Sequence, residues 1–279
     1  MRHRRGFPFL IRYASCRVSA DYSLICLIKP RLGILDMTSP LAFNAPLLEQ
    51  GHPCADCAVR LLAICGALNN DELGELKQSG ANVAFAAGDT ITYEGDVATH
   101  VYNLTSGTLR LSKLLPDGRR QIAGFLFPGD FLGITMEDEH AFTVEAIGPA
   151  TLCRFARSRF DGFVEAHPYL ERRLYALAAH ELAAARQQLV LLGRKTAAER
   201  VASFLLMLAD RYESTLDALS ARDVILPMSR SDIADYLGLR IETVSRELTA
   251  LKASRLIQLT TTHNIRLLDR ERLELMAEG

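Results

Sequence analysis

Residues 227–252, PMSRSDIADYLGLRIETVSRELTALK, restrict the possible folds of the C-terminal part more than any other stretch. Pro227 and Ser229 signal a helix start, with Ser229 or Ser231 placed to cap the first turn. Ile233, Ala234 and Leu237 recur at helical spacing and form one short apolar face. Gly238 and Leu239 break that pattern, and a second helix opens near Ile241 with Val244, Leu248 and Leu251 facing inward. Small Ala234 permits a close helix crossing and Gly238 a sharp turn, which is the layout of a helix-turn-helix. The second helix leaves Arg240, Glu242, Thr243, Ser245, Arg246, Thr249 and Lys252 outward, and its N-terminal end is the part that enters a DNA major groove. There Arg246 can bond bidentately to a guanine and Glu242 can accept from a cytosine amino group; Ser245 can reach a neighbouring base or phosphate. The plainer alternative is a helical hairpin with a solvated charged face.

At 279 residues the chain has room for two domains plus extensions. Its formal net charge of -1 gives no global sign of a nucleic-acid partner. Locally, Arg240, Arg246, Lys252, Arg255 and Arg266 face only Glu242 and Glu247, a patch suited to phosphates. No apolar run is long enough to span a bilayer, and no export signal is evident, so a cytoplasmic protein is expected. The cysteines are Cys16, Cys26, Cys54, Cys57, Cys65 and Cys153; without export, clustered thiols point to metal or redox chemistry rather than disulfides. Cys54-x-x-Cys57 alone is a weak signal, and Cys65 eight residues on strengthens it. Cys153 taken alone is a buried core cysteine.

Four segments are expected. Residues 1–36, rich in arginine, form a disordered tail or precede the natural start at Met37. Residues 37–166 hold the cysteine segment, a short helix capped by Asn70, Asp71 and Glu72, and β-type runs at 83–85, 90–93, 100–104, 108–114, 121–127, 142–146 and 151–155. Gly-Asp and Asp-Gly turns between these runs argue for an antiparallel β-roll or jelly roll. Residues 167–193 form a long helix opened by Pro168, with a four-three seam at Leu170, Leu174, Leu177, Glu181, Ala184, Gln188 and Leu191 whose polar centre makes a marginal dimer contact. Residues 194–279 supply a helix at 196–212, the helix-turn-helix and a wing hairpin turning at Thr262, His263 and Asn264. The fold class is therefore α+β: a β-roll sensor domain, a dimerisation helix and a winged helix-turn-helix.

This order resembles the CRP/FNR superfamily of transcription regulators, and within it the oxygen-sensing FNR branch with its FnrN-type members. Three stretches carry the resemblance: Phe127-Pro-Gly-Asp-Phe-Leu-Gly133, Lys195-Thr-Ala-Ala-Glu-Arg-Val-Ala-Ser-Phe204, and Tyr236-Leu-Gly-Leu-Arg-Ile-Glu-Thr-Val-Ser-Arg-Glu-Leu248. The resemblance implies that Cys54, Cys57, Cys65 and Cys153 hold a 4Fe–4S cluster, although a four-cysteine zinc site needs the same ligands. It implies a homodimer that binds inverted TTGAT half-sites one helical turn apart and contacts RNA polymerase. Molecular oxygen, the signal, would convert the cluster to a smaller one, loosen the seam and lower DNA binding.

Several rivals share parts of this pattern. A cyclic-nucleotide-responsive regulator has the same roll, but residues 136–142, MEDEHAF, offer three acids and no arginine to a cyclic phosphate. A haem-based gas sensor gives four matched cysteines no role. A Cys-x-x-Cys redox enzyme lacks its βαβ context, and no catalytic triad, P-loop or dinucleotide fingerprint is present. A DNA-binding protein with a purely structural zinc stays open on the residues alone.

Overall fold

A computed structural model describes residues 52, 54–134, 137–215 and 223–279. The expectations for residues 1–36, for a start at Met37 and for Cys16 and Cys26 lie outside the described residues. Beyond the cysteine turns and a 3-10 turn at Ile64–Ala67, the first helix is α1 (Asn70–Gln78). Its cap is Asn69 rather than the three residues that follow. The Asn69 carboxamide accepts from the Glu72 amide at 3.0 Å, and the Glu72 carboxylate accepts from the Asn69 amide at 2.8 Å.

The roll follows as β1 (Gly80–Phe85), β2 (Thr90–Thr92), β3 (His100–Ser106), β4 (Leu109–Leu114), β5 (Arg120–Leu126), β6 (Phe131–Leu132), β7 (Thr143–Ala146) and β8 (Ala150–Ala156). They form two antiparallel sheets, ordered β1-β8-β3-β6 and β2-β7-β4-β5. Leu104, Leu109, Val144 and Leu152 fill the space between the sheets. Alternation along β8 turns Cys153 and Phe155 to the other face, where they meet Ile64, Leu73, Phe160 and the base of the long helix. Gly107 lies between β3 and β4 at φ +89°, and a Cβ there would stand 2.5 Å from the Pro149 carbonyl oxygen. The seven anticipated strands are present; β6 is short and was not anticipated.

Nor was α2 (Arg157–Ala166), which starts directly from β8 without a side-chain cap and buries Phe160 and Phe163. The long helix α3 (Pro168–Arg194) has proline at its first turn. Its expected seam is occupied within this chain at both ends. Leu170 and Leu191 are buried in this chain's own cores, Leu174 and Leu177 pack beside the cysteines, and Gln188 donates to the Tyr236 carbonyl at 3.0 Å. The Glu181 side chain is exposed, although partial desolvation and then Asp130 raise its carboxyl. Besides Tyr169 and Val190, the large apolar side chains left open on α3 are Tyr175 (76% exposed), Leu182 (53%) and Leu189 (73%). With Ala178, Ala185 and Leu192, the last three make a four-three row without a polar interruption. Of the expected marginal centre, Glu181 and Ala184 are exposed and Gln188 is half-buried, and the larger open apolar side chains lie in the adjacent row.

The C-terminal half begins with α4 (Ala197–Thr215), opened by a reciprocal Thr196–Glu199 box. Then come β9 (Asp223–Ile225), α5 (Arg230–Leu237), α6 (Ile241–Ala253), β10 (Ile257–Leu259), β11 (Asn264–Leu267) and α7 (Arg270–Glu278). The wing is a three-stranded sheet, β10-β11-β9, rather than a lone hairpin, and α7 was not anticipated. Roll, long helix and C-terminal half lie within one compact unit.

Arg200 joins these parts. Its guanidinium donates to the carbonyls of Lys195, Leu237 and Leu192, each at 2.9 Å, and so satisfies the open ends of α3 and α5 together. Arg200→Ala is expected to destabilise the C-terminal half by about 3 kcal/mol, since carbonyls lose a charged donor. Arg200→Lys should recover only part of that, because one ammonium lacks the planar fork. Chemical denaturation followed by circular dichroism measures both.

Candidate functional site

Two sites emerge, one of thiols and one on the helix-turn-helix. The cysteine segment descends through successive turns: the amide of Cys54 donates to His52 Nδ1 at 3.0 Å, that of Cys57 to the Cys54 carbonyl at 3.3 Å, and that of Arg60 to the Cys57 carbonyl at 3.2 Å. Cys65 follows on the 3-10 turn, and all four described cysteines are free thiols. Cys153 arrives from a distant part of the chain, on the strand paired with both β1 and β3, opposite Asn82 and Asn103. Cys54, Cys57, Cys65 and Cys153 join one apolar cluster that also contains Leu170, Leu174 and Leu177 of α3.

The thiols feel one another electrostatically. Burial pushes Cys65 up to about 12, and Cys153, Cys54 and Cys57 each add to the shift. Burial also raises Cys54 and Cys153; Lys77 opposes it in both, while neighbouring thiols reinforce it. Lys77 Nζ lies 3.9 Å from the Cys153 sulfur and bonds Asn82, whose carboxamide oxygen accepts from that thiol at 3.3 Å. Cys54, Cys65 and Cys153 are harder to ionise here than free thiols, a penalty that a bound cation would offset. As they stand, no three His, Cys, Asp or Glu side chains among the described residues form a group able to hold a single metal ion. Nothing local in the chain marks Lys77 and Asn82; only the pairing of β1 with β8 brings them to Cys153.

On the other site, Ser229 caps α5 with a reciprocal Asp232 bond, and Gly238 ends it in the left-handed region at φ +61°. Val244, Leu248 and Leu251 bury the inner face of α6. Arg240, Glu242, Ser245, Arg246, Thr249 and Lys252 are exposed on it, and Thr243 is half-buried. Arg246 Nε stands 3.6 Å from the Glu247 carboxylate, and the Thr249 hydroxyl donates to the Ser245 carbonyl at 2.9 Å. Arg266, counted in the basic patch, instead makes a two-pronged pair with Asp223 at 2.6 and 2.8 Å. Arg230, on the first turn of α5, reaches the wing carbonyl of Thr262 at 3.3 Å and so ties that helix to the wing.

Residues 199–276 match the Crp-like helix-turn-helix domain and residues 82–167 the cyclic nucleotide-binding domain. The nitrogen fixation regulation protein FixK of Bradyrhizobium diazoefficiens is 49% identical over 228 residues, covering 81% of this chain and 94% of the relative. The transcriptional activator protein FnrL of Cereibacter sphaeroides is 36% identical over 225 residues, covering 80% and 90%. The solved structure of FixK2 from Bradyrhizobium japonicum aligns with a TM-score of 0.66 at 38% identity, covering 71% of this chain and 96% of that one. No helix among the described residues is long and apolar enough to cross a membrane. With its roll, long helix and winged helix-turn-helix, the chain belongs to the CRP/FNR family of transcription regulators.

Proposed function

We propose that this chain is a cytoplasmic, homodimeric, oxygen-responsive activator whose Cys54, Cys57, Cys65 and Cys153 hold a 4Fe–4S cluster. The observation that carries the reading is the convergence of thiols from a looped segment and from β8 in one apolar pocket against α3. Relatives described as transcriptional activators support the activating role, which requires contact with RNA polymerase. When bound, the cluster supplies an oxygen-labile centre. The protein's part is mechanical. Leu174 and Leu177 of α3 touch the thiol pocket, and Arg173 donates to the Leu62 carbonyl at 3.0 Å. The cysteine segment therefore bears on the same helix whose outer row, Tyr175, Leu182 and Leu189, forms the dimer seam. The signal shifts the dimer balance only as far as the pocket binds its group differently in the two states.

At the DNA, Arg246 reads a guanine, Glu242 accepts from a cytosine amino group, and Ser245 touches a neighbouring base or phosphate in a TTGAT half-site. Arg240, Thr243, Thr249 and Lys252 line the same interface. Arg246 must leave Glu247 to do so, at small cost because the contact is long at 3.6 Å and the Arg246 side chain is exposed. Arg246→Ala is expected to lose about 1–3 kcal/mol and to relax selection at that guanine. Binding titrations against duplexes varied at each base check it; an equal loss on all sequences would mark a phosphate contact instead.

The test of the whole reading is to purify the protein without air and measure its visible spectrum, iron, sulfide and zinc, then admit oxygen. Brown protein near four irons per chain, losing dimer and TTGAT binding as it bleaches, is the expected result. Colourless protein with one zinc and air-indifferent DNA binding would refute the oxygen switch.

A further inference from the structure

The β4–β5 hairpin belongs to the roll, yet it completes the core of the C-terminal half. Ile122 and Phe127 are buried together with Phe204, Ile233 and Leu237. The Phe125 ring lies 5.3 Å from that of Tyr236 and 6.3 Å from that of Phe204. A charged contact surmounts this core. Asp232, only 3% exposed, divides its two carboxylate oxygens between the domains. One accepts from the Ser229 amide at 3.0 Å and hydroxyl at 2.7 Å, closing the cap of its own helix. The other accepts from Arg110 at 3.1 Å and Arg120 at 2.8 Å, both on the hairpin. Arg110 is anchored to Glu145 of β7 at 3.1 Å, and Arg120 also bonds Asp235 at 2.9 Å. Burial opposes the Asp232 charge, but the Ser229 bonds and the two guanidiniums outweigh it and hold the carboxyl below its usual range.

We propose that Arg110 and Arg120 are positioning residues of the DNA interface, acting through Asp232 to fix the helix-turn-helix in one orientation on the roll. A buried ion pair of this kind adds little net stability but strongly specifies geometry, because breaking it strands a charge. The hairpin holds α5 and leaves the reading face of α6 exposed, so the held orientation is compatible with DNA. Orientation matters because a dimer must present two recognition helices about 34 Å apart, one turn of the duplex. A head that swivels loses affinity to the entropy of ordering it and tolerates wrongly spaced half-sites. This rests on the DNA-binding reading and on no property of the thiol site.

The test uses the full chain without air, as Arg120→Gln, which leaves Arg110 on Asp232, and as Arg110→Gln with Arg120→Gln. Spin labels on non-natural residues at Ser158 in α2 and Ser254 after α6 report the distance between the halves. Both variants, the double more than the single, are expected to broaden that distribution. They should bind a duplex of two inverted TTGAT half-sites several-fold more weakly, and one inserted base pair should cost them less than it costs the wild type. Discrimination at the guanine read by Arg246 should stay unchanged, which loss of folding would not allow. A distribution of wild-type width, an unaltered spacing penalty or tighter binding would each overturn the inference. Wild-type protein that ignores the duplex would refute the TTGAT assignment, and the label distances would still decide this one.

Discussion

Cys153→Ser, purified without air, is expected to lose nearly all of its iron and sulfide and, with them, its dimer and its hold on DNA. The three thiols at Cys54, Cys57 and Cys65 lie on turns and a single 3-10 turn, so they can wrap a bound group but do not fix its place. Cys153 is on a central strand bonded on both sides, so in the proposed site it would be the ligand that ties the group to the roll. Even outer-shell substitutions at metal sites cost roughly 10–100-fold in affinity, and loss of the anchoring thiolate should exceed that. The substitution is mild for the fold. Cys153 is half-buried on the outer face of β8, and a hydroxyl there can still donate to Asn82, which accepts from the thiol at 3.3 Å. Iron and sulfide per chain, visible absorbance and sedimentation read the result, with unchanged circular dichroism as the control. Cys153→Ser protein that keeps full iron and DNA binding would remove Cys153 from the ligand set. Loss of one zinc in place of four irons would reassign the site to zinc, which takes the same four thiolates.

The legible parts of the molecule are those whose information is local. Ser229, Gly238 and the inward Val244, Leu248 and Leu251 specify the helix-turn-helix within two dozen residues, and the structure has that cap, that left-handed turn and that face. Turn glycines and two-residue alternation likewise outline seven of the roll's eight strands. What escaped is what depends on neighbours distant in the chain. Helix α2 follows β8 without a capping side chain, so no start signal precedes it. The thiol pocket is half local: the Cys54, Cys57 and Cys65 cluster stands out by spacing, whereas Cys153 in isolation is an ordinary core cysteine, and Lys77 beside it is invisible before β1 pairs with β8. The Arg110–Asp232–Arg120 contact spans more than a hundred residues and leaves no periodic trace. The pairing of Arg266 with Asp223 escaped for the same reason, because Asp223 reaches it only when β9 joins the wing.

Leu182→Glu together with Leu189→Glu is expected to convert the protein to a monomer and abolish binding to an inverted-repeat site even without air. The seam drawn from the sequence followed Leu170, Leu174, Leu177 and Leu191, yet α3 is apolar on two sides, and a four-three pattern can be traced on either. Burial chooses between them. The traced row packs at its two ends on the chain's own thiol pocket and C-terminal core, with Glu181 and Ala184 exposed between them. In the row one residue later Tyr175, Leu182 and Leu189 stay open and only Leu192 meets the C-terminal core. Glutamates at Leu174 and Leu177 would therefore damage the sensor pocket and confuse two effects. At Leu182 and Leu189, 53% and 73% exposed in one chain, the monomer accepts the new charge in water at little cost. A dimer would bury four carboxylates without partners, and each unpaired buried charge costs about 3–5 kcal/mol. All four together, about 12–20 kcal/mol, outweigh the ~8 kcal/mol of a micromolar dimer. A monomer engages one half-site and forgoes the effective concentration that delivers the second. Sedimentation at micromolar protein and titration of a duplex with one or two half-sites measure both consequences. Iron content should stay at the wild-type level, since neither leucine touches the thiols. A double variant that remains dimeric would place the seam elsewhere on α3, and one that is monomeric yet binds the paired site at full affinity would separate DNA recognition from dimerisation.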